Sequence, residues 1–114
     1  MGPSILLVDD DSESTSVLKL ILEAEGYEAE TAATATEAYA KVEKARFDLV
    51  LLDYILPDAK GSEAVGHIRK ASPGIRVVLL SGIYSDSAEE MKYDAVMQKP
   101  VRPEVLLGTI KQLI

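Results

Sequence analysis

Five short runs with strand character, separated by stretches with helical spacing, constrain the fold of this chain more than any other feature. The runs cover residues 5–8, 27–31, 49–52, 75–80 and 95–97. The four apolar residues at 49–52 are too few for a helix face and fit a strand that is buried on both sides of a parallel sheet. Alternating strands and helices, with right-handed crossovers, predict an α/β fold with a doubly wound five-stranded parallel sheet and helices on both faces.

Four stretches show the apolar spacing of amphipathic helices. Gly26 is a natural end for the first helix, Thr34 and Glu37 form a capping box that opens the second, and Pro103 suits the first turn of the last. The predicted inward-facing residues are Val17, Leu18, Ile21 and Ala24, then Ala35, Ala38, Val42 and Ala45, then Ala64, Val65 and Ile68, and finally Leu106, Thr109, Ile110 and Leu113. Residues 86–92 have room for one or two helical turns, without a long amphipathic face.

Composition excludes several classes of function. The 114 residues are enough for one hydrophobic core but not for two, so we expect a single domain over residues 1–114 with no output domain. The absence of cysteine and the single histidine exclude disulfides, thiolate chemistry and multi-histidine metal sites. A net charge of −7 disfavours direct binding to nucleic acid or to an anionic membrane. No apolar run is long enough to span a membrane, and we expect a cytoplasmic protein.

Polar side chains follow four of the predicted strands. Asp9 and Asp10 come after the first strand, Asp53 ends the third, Ser81 ends the fourth and Lys99 follows the fifth. Because the carboxyl ends of parallel strands lie at one edge of a sheet, we expect three carboxylates, a hydroxyl and an ammonium group to converge in one crevice. Clustered carboxylates repel one another and need a cation to stay ionised. Oxygen ligands without histidine or cysteine favour a hard ion, so the sequence predicts Mg²⁺.

A carboxylate held next to Mg²⁺, a lysine and a hydroxyl has the groups needed to accept a phosphoryl group. We therefore predict that Asp53 is the nucleophile that forms an aspartyl-phosphate, with Lys99 and Ser81 offsetting charge on the phosphoryl oxygens. Each residue also has an ordinary structural interpretation. Residues 9–11 can cap the first helix, Ser81 can be a turn residue, and Lys99 can be a solvated surface lysine.

Four segments, in this order, resemble the receiver domain of two-component response regulators over nearly the whole chain. They are residues 5–10 (ILLVDD), 53–61 (DYILPDAKG), 77–82 (VVLLSG) and 99–100 (KP). The resemblance implies the flavodoxin-like fold of receivers and phosphoryl transfer to Asp53 from a sensor histidine kinase or a phosphotransfer protein. Phosphorylation would switch the binding of a protein partner or of an output domain. The resemblance implies a signalling domain rather than an enzyme, with at most self-catalysed phosphorylation and dephosphorylation.

The same resemblance implies roles for the site residues. Mg²⁺ would be bound directly by three groups, Asp10, Asp53 and the backbone carbonyl of Ile55, and through water by Asp9. Ser81 would move toward the phosphoryl group on activation while Lys99 pairs with it. A cis peptide bond would precede Pro100.

Three features depart from the family pattern. Receivers usually have an aromatic residue three positions before the lysine, where this chain has Val96, so it departs from the usual aromatic switch. The segment between Ser81 and Lys99 is shorter than usual, which curtails the helix expected there and the surface that it offers to partners. Ile55 and Ile83 are apolar where the family often has polar residues that help water reach the phosphoryl group. We therefore hypothesise slow autodephosphorylation.

Other interpretations of the same residues remain open. A receiver-like interaction module that acts independently of phosphorylation is favoured by Val96 and the curtailed helix, and disfavoured by the complete set of site residues. A phosphatase of the haloacid dehalogenase type would use Asp9 as its nucleophile, but it requires an acidic pair after the lysine, and beyond Lys99 only Glu104 is acidic. A flavin-binding module would need a phosphate-binding loop after the first strand, where three aspartates lie instead.

Overall fold

The computed structural model of the protein describes residues 2–82 and 92–114. The described strands are β1 (Ser4–Val8), β2 (Glu28–Ala32), β3 (Leu49–Asp53), β4 (Arg76–Ser81) and β5 (Ala95–Gln98). The described helices are α1 (Ser12–Ala24), α2 (Ala35–Lys44), α3 (Gly61–Ala71) and α4 (Pro103–Leu113). The helical turns predicted at 86–92 fall almost entirely outside the described residues. Within the described ranges, no helix is both long enough and apolar enough to cross a bilayer.

The five strands form one parallel sheet in the order β2-β1-β3-β4-β5. The central strand, β3, is buried along its whole length. β1 and β4 flank it, and β2 and β5 form the two edges. The predicted doubly wound parallel sheet is confirmed, and its topology brings all five carboxyl ends to the same edge.

Alternate side chains of the strands feed two hydrophobic clusters, one on each face of the sheet. Val50 and Leu52 of β3 pack with α2 and α3 on the first face. Leu49 and Leu51 pack with α1 and α4 on the second. Because helices cover both faces, both sets of β3 side chains are apolar, which is why the run at 49–52 shows no polar alternation. Asp53 extends the strand beyond this apolar run, to the carboxyl edge of the sheet.

Short-range signals determine where the helices begin and end. Asp11 caps α1, because its side chain accepts hydrogen bonds from backbone N–H groups in the first turn. The Thr34 hydroxyl oxygen accepts the N–H of Glu37 at 3.1 Å, as the predicted capping box requires. Gly26 follows α1 with a φ of 93°, a conformation that other residues rarely adopt, and this ends the helix.

Three residues that the sequence pattern predicts to face inward are exposed instead. Val17 and Ala24 lie outside the buried side of α1, which includes Thr15 and Leu22. The pattern misses Thr15 because it is polar, but its hydroxyl is satisfied by backbone carbonyls of its own helix, so it can be buried. Ala45 follows the last residue of α2 and has an extended backbone, which takes its side chain off the helix face. The inward placement of these three residues is therefore wrong.

Candidate functional site

The carboxyl ends of four strands position the predicted site residues. Asp9 follows β1, Asp53 and Ser81 are the last residues of β3 and β4, and Lys99 follows β5. The register of the parallel strands fixes their positions along the sheet, since Asp53 pairs with Leu80 and Ser81 pairs with Gln98. The side chains therefore lie at one edge of the sheet, where the topology predicts them.

Lys99 joins two of the acidic residues. Its Nζ donates a hydrogen bond to Asp9 Oδ2 at 3.0 Å and lies 3.1 Å from Asp53 Oδ1. The backbone of Lys99 is also held, because its N–H donates to the carbonyl oxygen of Ser81 at 2.8 Å. The peptide bond that leads into Pro100 is cis, as the resemblance implies. An ammonium group thus lies within hydrogen-bond distance of the candidate nucleophile.

Asp9, Asp10 and Asp53 form an acidic cluster. Each offers one carboxylate oxygen, and these oxygens lie within 4.8 Å of one another. Asp9 and Asp53 are buried, with 7% and 9% of their surfaces exposed, whereas Asp10 is exposed. This donor set contains oxygen alone, which fits a hard divalent cation. Asp11 does not belong to the cluster, since its carboxylate caps α1, so the capping interpretation of these aspartates applies to Asp11.

Burial and the neighbouring charges shift the pKa values of both Asp53 and Lys99. Burial raises the pKa of Asp53, and the charges of Asp9 and Asp10 act in the same direction, which together outweigh the opposing effect of Lys99. Burial lowers the pKa of Lys99, but its hydrogen bonds to Asp9 and Asp53 and their charges prevail, so its pKa lies above the ordinary lysine value. Lys99 is therefore charged at neutral pH, and a further cation would favour the ionised form of Asp53.

The loop between β3 and α3 follows the candidate nucleophile and is closed by its own backbone. The N–H of Leu56 donates to the Ala59 carbonyl at 3.0 Å, and the N–H of Gly61 donates to the Tyr54 carbonyl at 2.6 Å. A Cβ atom at Gly61 would lie 3.2 Å from the Tyr54 Cα, so glycine permits this close approach. Ile55, whose carbonyl is a predicted metal ligand, has 56% of its surface exposed. Its carbonyl belongs to a closed loop two residues beyond Asp53.

A groove of about 660 Å³ opens beside the acidic cluster, between α1 and the segment that follows β5. Asp9 and Lys99 line one part of it, and Val17, Ile21 and Val101 line an apolar part. Val17, which the sequence pattern predicts to be core, is exposed and lines this groove instead. The groove is continuous with the acidic cluster because Asp9 and Lys99 belong to both.

A family model described as the response regulator receiver domain matches residues 5–111 of this chain. The chain belongs to the response regulator receiver domain family. The transcriptional regulatory protein CpxR homolog of Haemophilus influenzae is 36% identical over 114 residues, which cover 96% of this chain and 49% of that protein. The DNA-binding response regulator MtrA of Mycobacterium tuberculosis is 31% identical over 116 residues, which cover 97% of this chain and 50% of that protein. This receiver spans about half the length of these curated relatives.

Solved receivers share the fold. A CheY-like response regulator receiver domain protein from Methanospirillum hungatei is 40% identical with a TM-score of 0.91, and the match covers 98% of this chain and 93% of that one. TrrA from Thermotoga maritima, solved in complex with Mg²⁺-BeF, is 32% identical with a TM-score of 0.90, and the match covers 98% of this chain and 99% of that one. The predicted receiver-type α/β fold is therefore confirmed.

Two features of this receiver bear on the predicted departures from the family pattern. Val96 is partly buried, pairs with Leu79 of β4 and packs against the cluster formed with α2 and α3. A small β-branched side chain therefore occupies the position where receivers usually have an aromatic ring. Ile55 is exposed at the site, while its predicted companion Ile83 lies outside the described residues.

One further residue near the site received no role from the sequence. Asp58, in the loop between β3 and α3, contacts the first turn of α2 rather than its own neighbours. Its partners lie 22 and 23 positions earlier in the chain. Local spacing cannot reveal a contact over that separation. The only signal in the sequence is an aspartate in the loop that follows the candidate nucleophile.

Proposed function

We propose that this receiver accepts a phosphoryl group on Asp53 from a histidine kinase or a phosphotransfer protein of a two-component phosphorelay. Phosphorylation then changes the binding of a protein partner or an output domain. The observation that carries this proposal is the contact of Lys99 Nζ with Asp53 Oδ1, within a cluster that also contains Asp9 and Asp10. Three carboxylates packed together disfavour folding, so a purely structural role at the end of a strand does not account for them.

Asp53 supplies the nucleophile. One of its carboxylate oxygens attacks the phosphorus of the donor's phosphohistidine, so that an O–P bond forms while the N–P bond breaks. The electron pair of the broken bond stays on the imidazole nitrogen of the donor. The attacking carboxylate must be ionised, and because burial raises the pKa of Asp53, the nearby Lys99 ammonium group assists by favouring the charged form.

Lys99 and Ser81 would hold the transferred group. Lys99 Nζ already lies 3.1 Å from Asp53 Oδ1, so it could reach an oxygen of a phosphoryl group attached to Asp53 after a small shift. Ser81 is buried at the end of the adjacent strand, where its hydroxyl would donate to another phosphoryl oxygen. The hydrogen bond between the Lys99 N–H and the Ser81 carbonyl keeps the two strand ends in register.

Asp10, Asp53 and the backbone carbonyl of Ile55 would hold Mg²⁺ directly, and Asp9 would hold it through water. When bound, the ion would offset negative charge on the phosphoryl oxygens. The all-oxygen donor set within 4.8 Å supports this assignment. So does the relative TrrA, which was solved with Mg²⁺-BeF and shares the fold.

We propose that the chain acts as a single signalling domain rather than as an enzyme with turnover, because the product stays bonded to Asp53. MtrA is named a DNA-binding regulator, and this chain covers about half of it. In any longer protein that contains this receiver, DNA binding is expected to lie outside these residues, because the net charge of −7 opposes it. A cytoplasmic location is proposed on family grounds.

Intact-mass spectrometry after incubation with acetyl phosphate tests the proposal. The wild-type protein is expected to gain one phosphoryl adduct with MgCl₂ and none with chelator, and Asp53→Asn is expected to gain none. Asp48→Asn is a matched control, because Asp48 precedes the same strand at its opposite end and its side chain accepts the Ser4 N–H, a bond that asparagine can keep. This variant should be phosphorylated like the wild-type protein.

Two results would contradict the proposal. An adduct that persists in Asp53→Asn would place the acceptor elsewhere. A folded wild-type protein that forms no adduct with acetyl phosphate or with histidine kinases would instead favour the module that acts independently of phosphorylation.

A further inference from the structure

Asp58 makes contacts that the proposed chemistry does not use. Its Oδ1 accepts the N–H of Ala35 at 2.8 Å, and its Oδ2 accepts the N–H and the hydroxyl of Thr36 at 3.0 and 2.7 Å. These hydrogen bonds lower the pKa of Asp58 to about 2, and the bond from the Thr36 hydroxyl has the largest effect. The carboxylate is therefore charged at neutral pH and joins the loop between β3 and α3 to the first turn of α2.

The helix has a cap of its own. Thr34 already serves as the N-cap of α2 and accepts the N–H of Glu37. The first four N–H groups of a helix lack partners within it, and Asp58 takes two that Thr34 leaves. Because this second acceptor comes from a different part of the chain, its bonds restrain the position of the loop as well as the helix.

The restraint reaches the carbonyl of Ile55 through a short path. Asp58 lies within the turn that the Leu56 N–H and the Ala59 carbonyl close at 3.0 Å. Ile55 and Lys60 pair as an antiparallel bridge on either side of this turn. A turn closed in this way moves largely as a unit, so holding its tip also holds Ile55, three residues away.

We propose that Asp58 is a positioning residue that ties the loop between β3 and α3 to α2 and thereby holds the Ile55 carbonyl in place for the metal ion. This inference rests on the proposed function, which assigns that carbonyl to Mg²⁺. Magnesium demands nearly ideal octahedral geometry, so a displaced ligand weakens its binding. The contact also makes the start of α2 sensitive to the state of the site, since both share the loop.

The test compares Asp58→Ala and Asp58→Asn with Thr34→Ala in the full chain, at a temperature where all variants are folded. Thr34→Ala is the matched control, because it removes a cap of the same helix without touching the loop. Asparagine keeps an acceptor oxygen at the same distance from the backbone, so Asp58→Asn should retain part of the contact.

Two readouts on ¹⁵N-labelled protein separate positioning from stability. The first is hydrogen exchange of the Leu56 and Gly61 amides with chelator present, referenced to a core amide of β3. The second is titration with MgCl₂, followed by the amide shifts of Asp10 and Asp53. Asp58→Ala should speed loop exchange about tenfold. It should weaken Mg²⁺ binding about three- to tenfold, because outer partners of metal ligands contribute about 10–100-fold and only one ligand depends on Asp58.

Thr34→Ala should change neither readout, although it lowers the unfolding temperature, and Asp58→Asn should fall between Asp58→Ala and the wild type. Unchanged exchange and Mg²⁺ affinity in Asp58→Ala would overturn the inference. So would a Thr34→Ala variant that weakens Mg²⁺ binding as much, because the effect would then come from helix stability. A wild-type protein that binds no Mg²⁺ would defeat the proposed function itself, and loop exchange would still decide whether Asp58 anchors the loop.

Discussion

Replacing Lys99 with methionine removes an ammonium group that contacts two buried carboxylates, while leaving a side chain of similar length. In the wild-type protein, Lys99 Nζ lies 3.0 Å from Asp9 Oδ2 and 3.1 Å from Asp53 Oδ1. The variant keeps both carboxylates at the same edge of the sheet with Asp10 beside them. Without metal, their mutual repulsion is then opposed only by solvent and by proton uptake, so the folded state should lose stability.

The size of this loss follows from the geometry. Each charge-assisted hydrogen bond contributes about 1.5–3 kcal/mol net, and removing one partner of a buried ion pair costs about 3–5 kcal/mol. The Lys99 side chain is 33% exposed, which lets water replace part of the interaction. Asp53 can also take up a proton, because its pKa is already raised. These two effects bring the expected loss in unfolding free energy to about 2–4 kcal/mol.

Urea unfolding at neutral pH, with chelator present, measures the loss. Lys41→Met is a matched control, because the Lys41 side chain is also 33% exposed but its acidic partner, Glu30, is itself 56% exposed at 3.7 Å. That variant loses a surface pair and a hydrogen bond to the Thr31 carbonyl, so about 1 kcal/mol is expected. Added MgCl₂ should narrow the difference between Lys99→Met and the wild type, because a cation among the carboxylates relieves the same repulsion.

A Lys99→Met variant as stable as the wild-type protein, or no less stable than Lys41→Met, would refute this reasoning. It would mean that the carboxylates are solvated well enough to need no partner, or that they are protonated in the folded state. A second check is the double variant Lys99→Met/Asp53→Asn. It removes one of the carboxylates that lost its Lys99 partner, so it should be more stable than Lys99→Met alone.

Two further predictions concern Asp53 and Ile55. Without metal at neutral pH, Asp53→Asn should stabilise the protein by about 1 kcal/mol or less, since a raised pKa means that the fold disfavours the ionised form, at about 1.4 kcal/mol per pKa unit before solvent screening. The folded state binds the Asp53 proton more tightly than the unfolded state does, so the stability gained by Asp53→Asn should be complete above the folded-state pKa and should vanish as the pH falls below 3.8. Urea unfolding across that pH range, with chelator present, measures this gain. A gain that grows in acid would contradict the prediction. Because Ile55 is exposed and apolar, it cannot help water to reach the phosphoryl group, and the half-life of the aspartyl-phosphate without a phosphatase should be longer than minutes. Ile55→Asn should shorten this half-life about three- to tenfold, which is a small part of the rate acceleration that a well-placed general base supplies. Mass spectrometry over time decides this, and equal half-lives would count against it.

The fold was predictable because burial leaves a direct trace in the sequence. A strand covered on both faces has no polar alternation, and the run at 49–52 shows this. Once the strands alternate with helices, the parallel topology alone brings Asp9, Asp53, Ser81 and Lys99 to one edge. Their contacts, such as the one between Lys99 and Asp53 at 3.1 Å, then depend on side chains that extend from strand ends already in register.

The sequence could not predict contacts that local spacing does not encode. Asp58 reaches backbone donors 22 and 23 residues away, and nothing in its neighbourhood marks those donors as partners. Val17 has the spacing of a core residue, but it lines the groove beside the site instead. Apolar periodicity shows which side of a helix avoids water; it does not distinguish a core from a groove that borders a binding site.

The balance of charge at the site links the metal to the phosphoryl group. Among the residues that the structure describes, Lys99 contacts Asp9 and Asp53, and Asp10 lies beside these two carboxylates. Three carboxylates and one ammonium group leave two net negative charges when all are ionised. A divalent cation cancels this excess, whereas Lys99 alone does not. Phosphorylation makes the shortage of positive charge greater, because a phosphoryl group carries about 1.5–2 negative charges and replaces one on Asp53. The same shortage therefore predicts both the instability of Lys99→Met without metal and the dependence of the phosphoryl adduct on Mg²⁺, and an adduct formed equally well in chelator would contradict it.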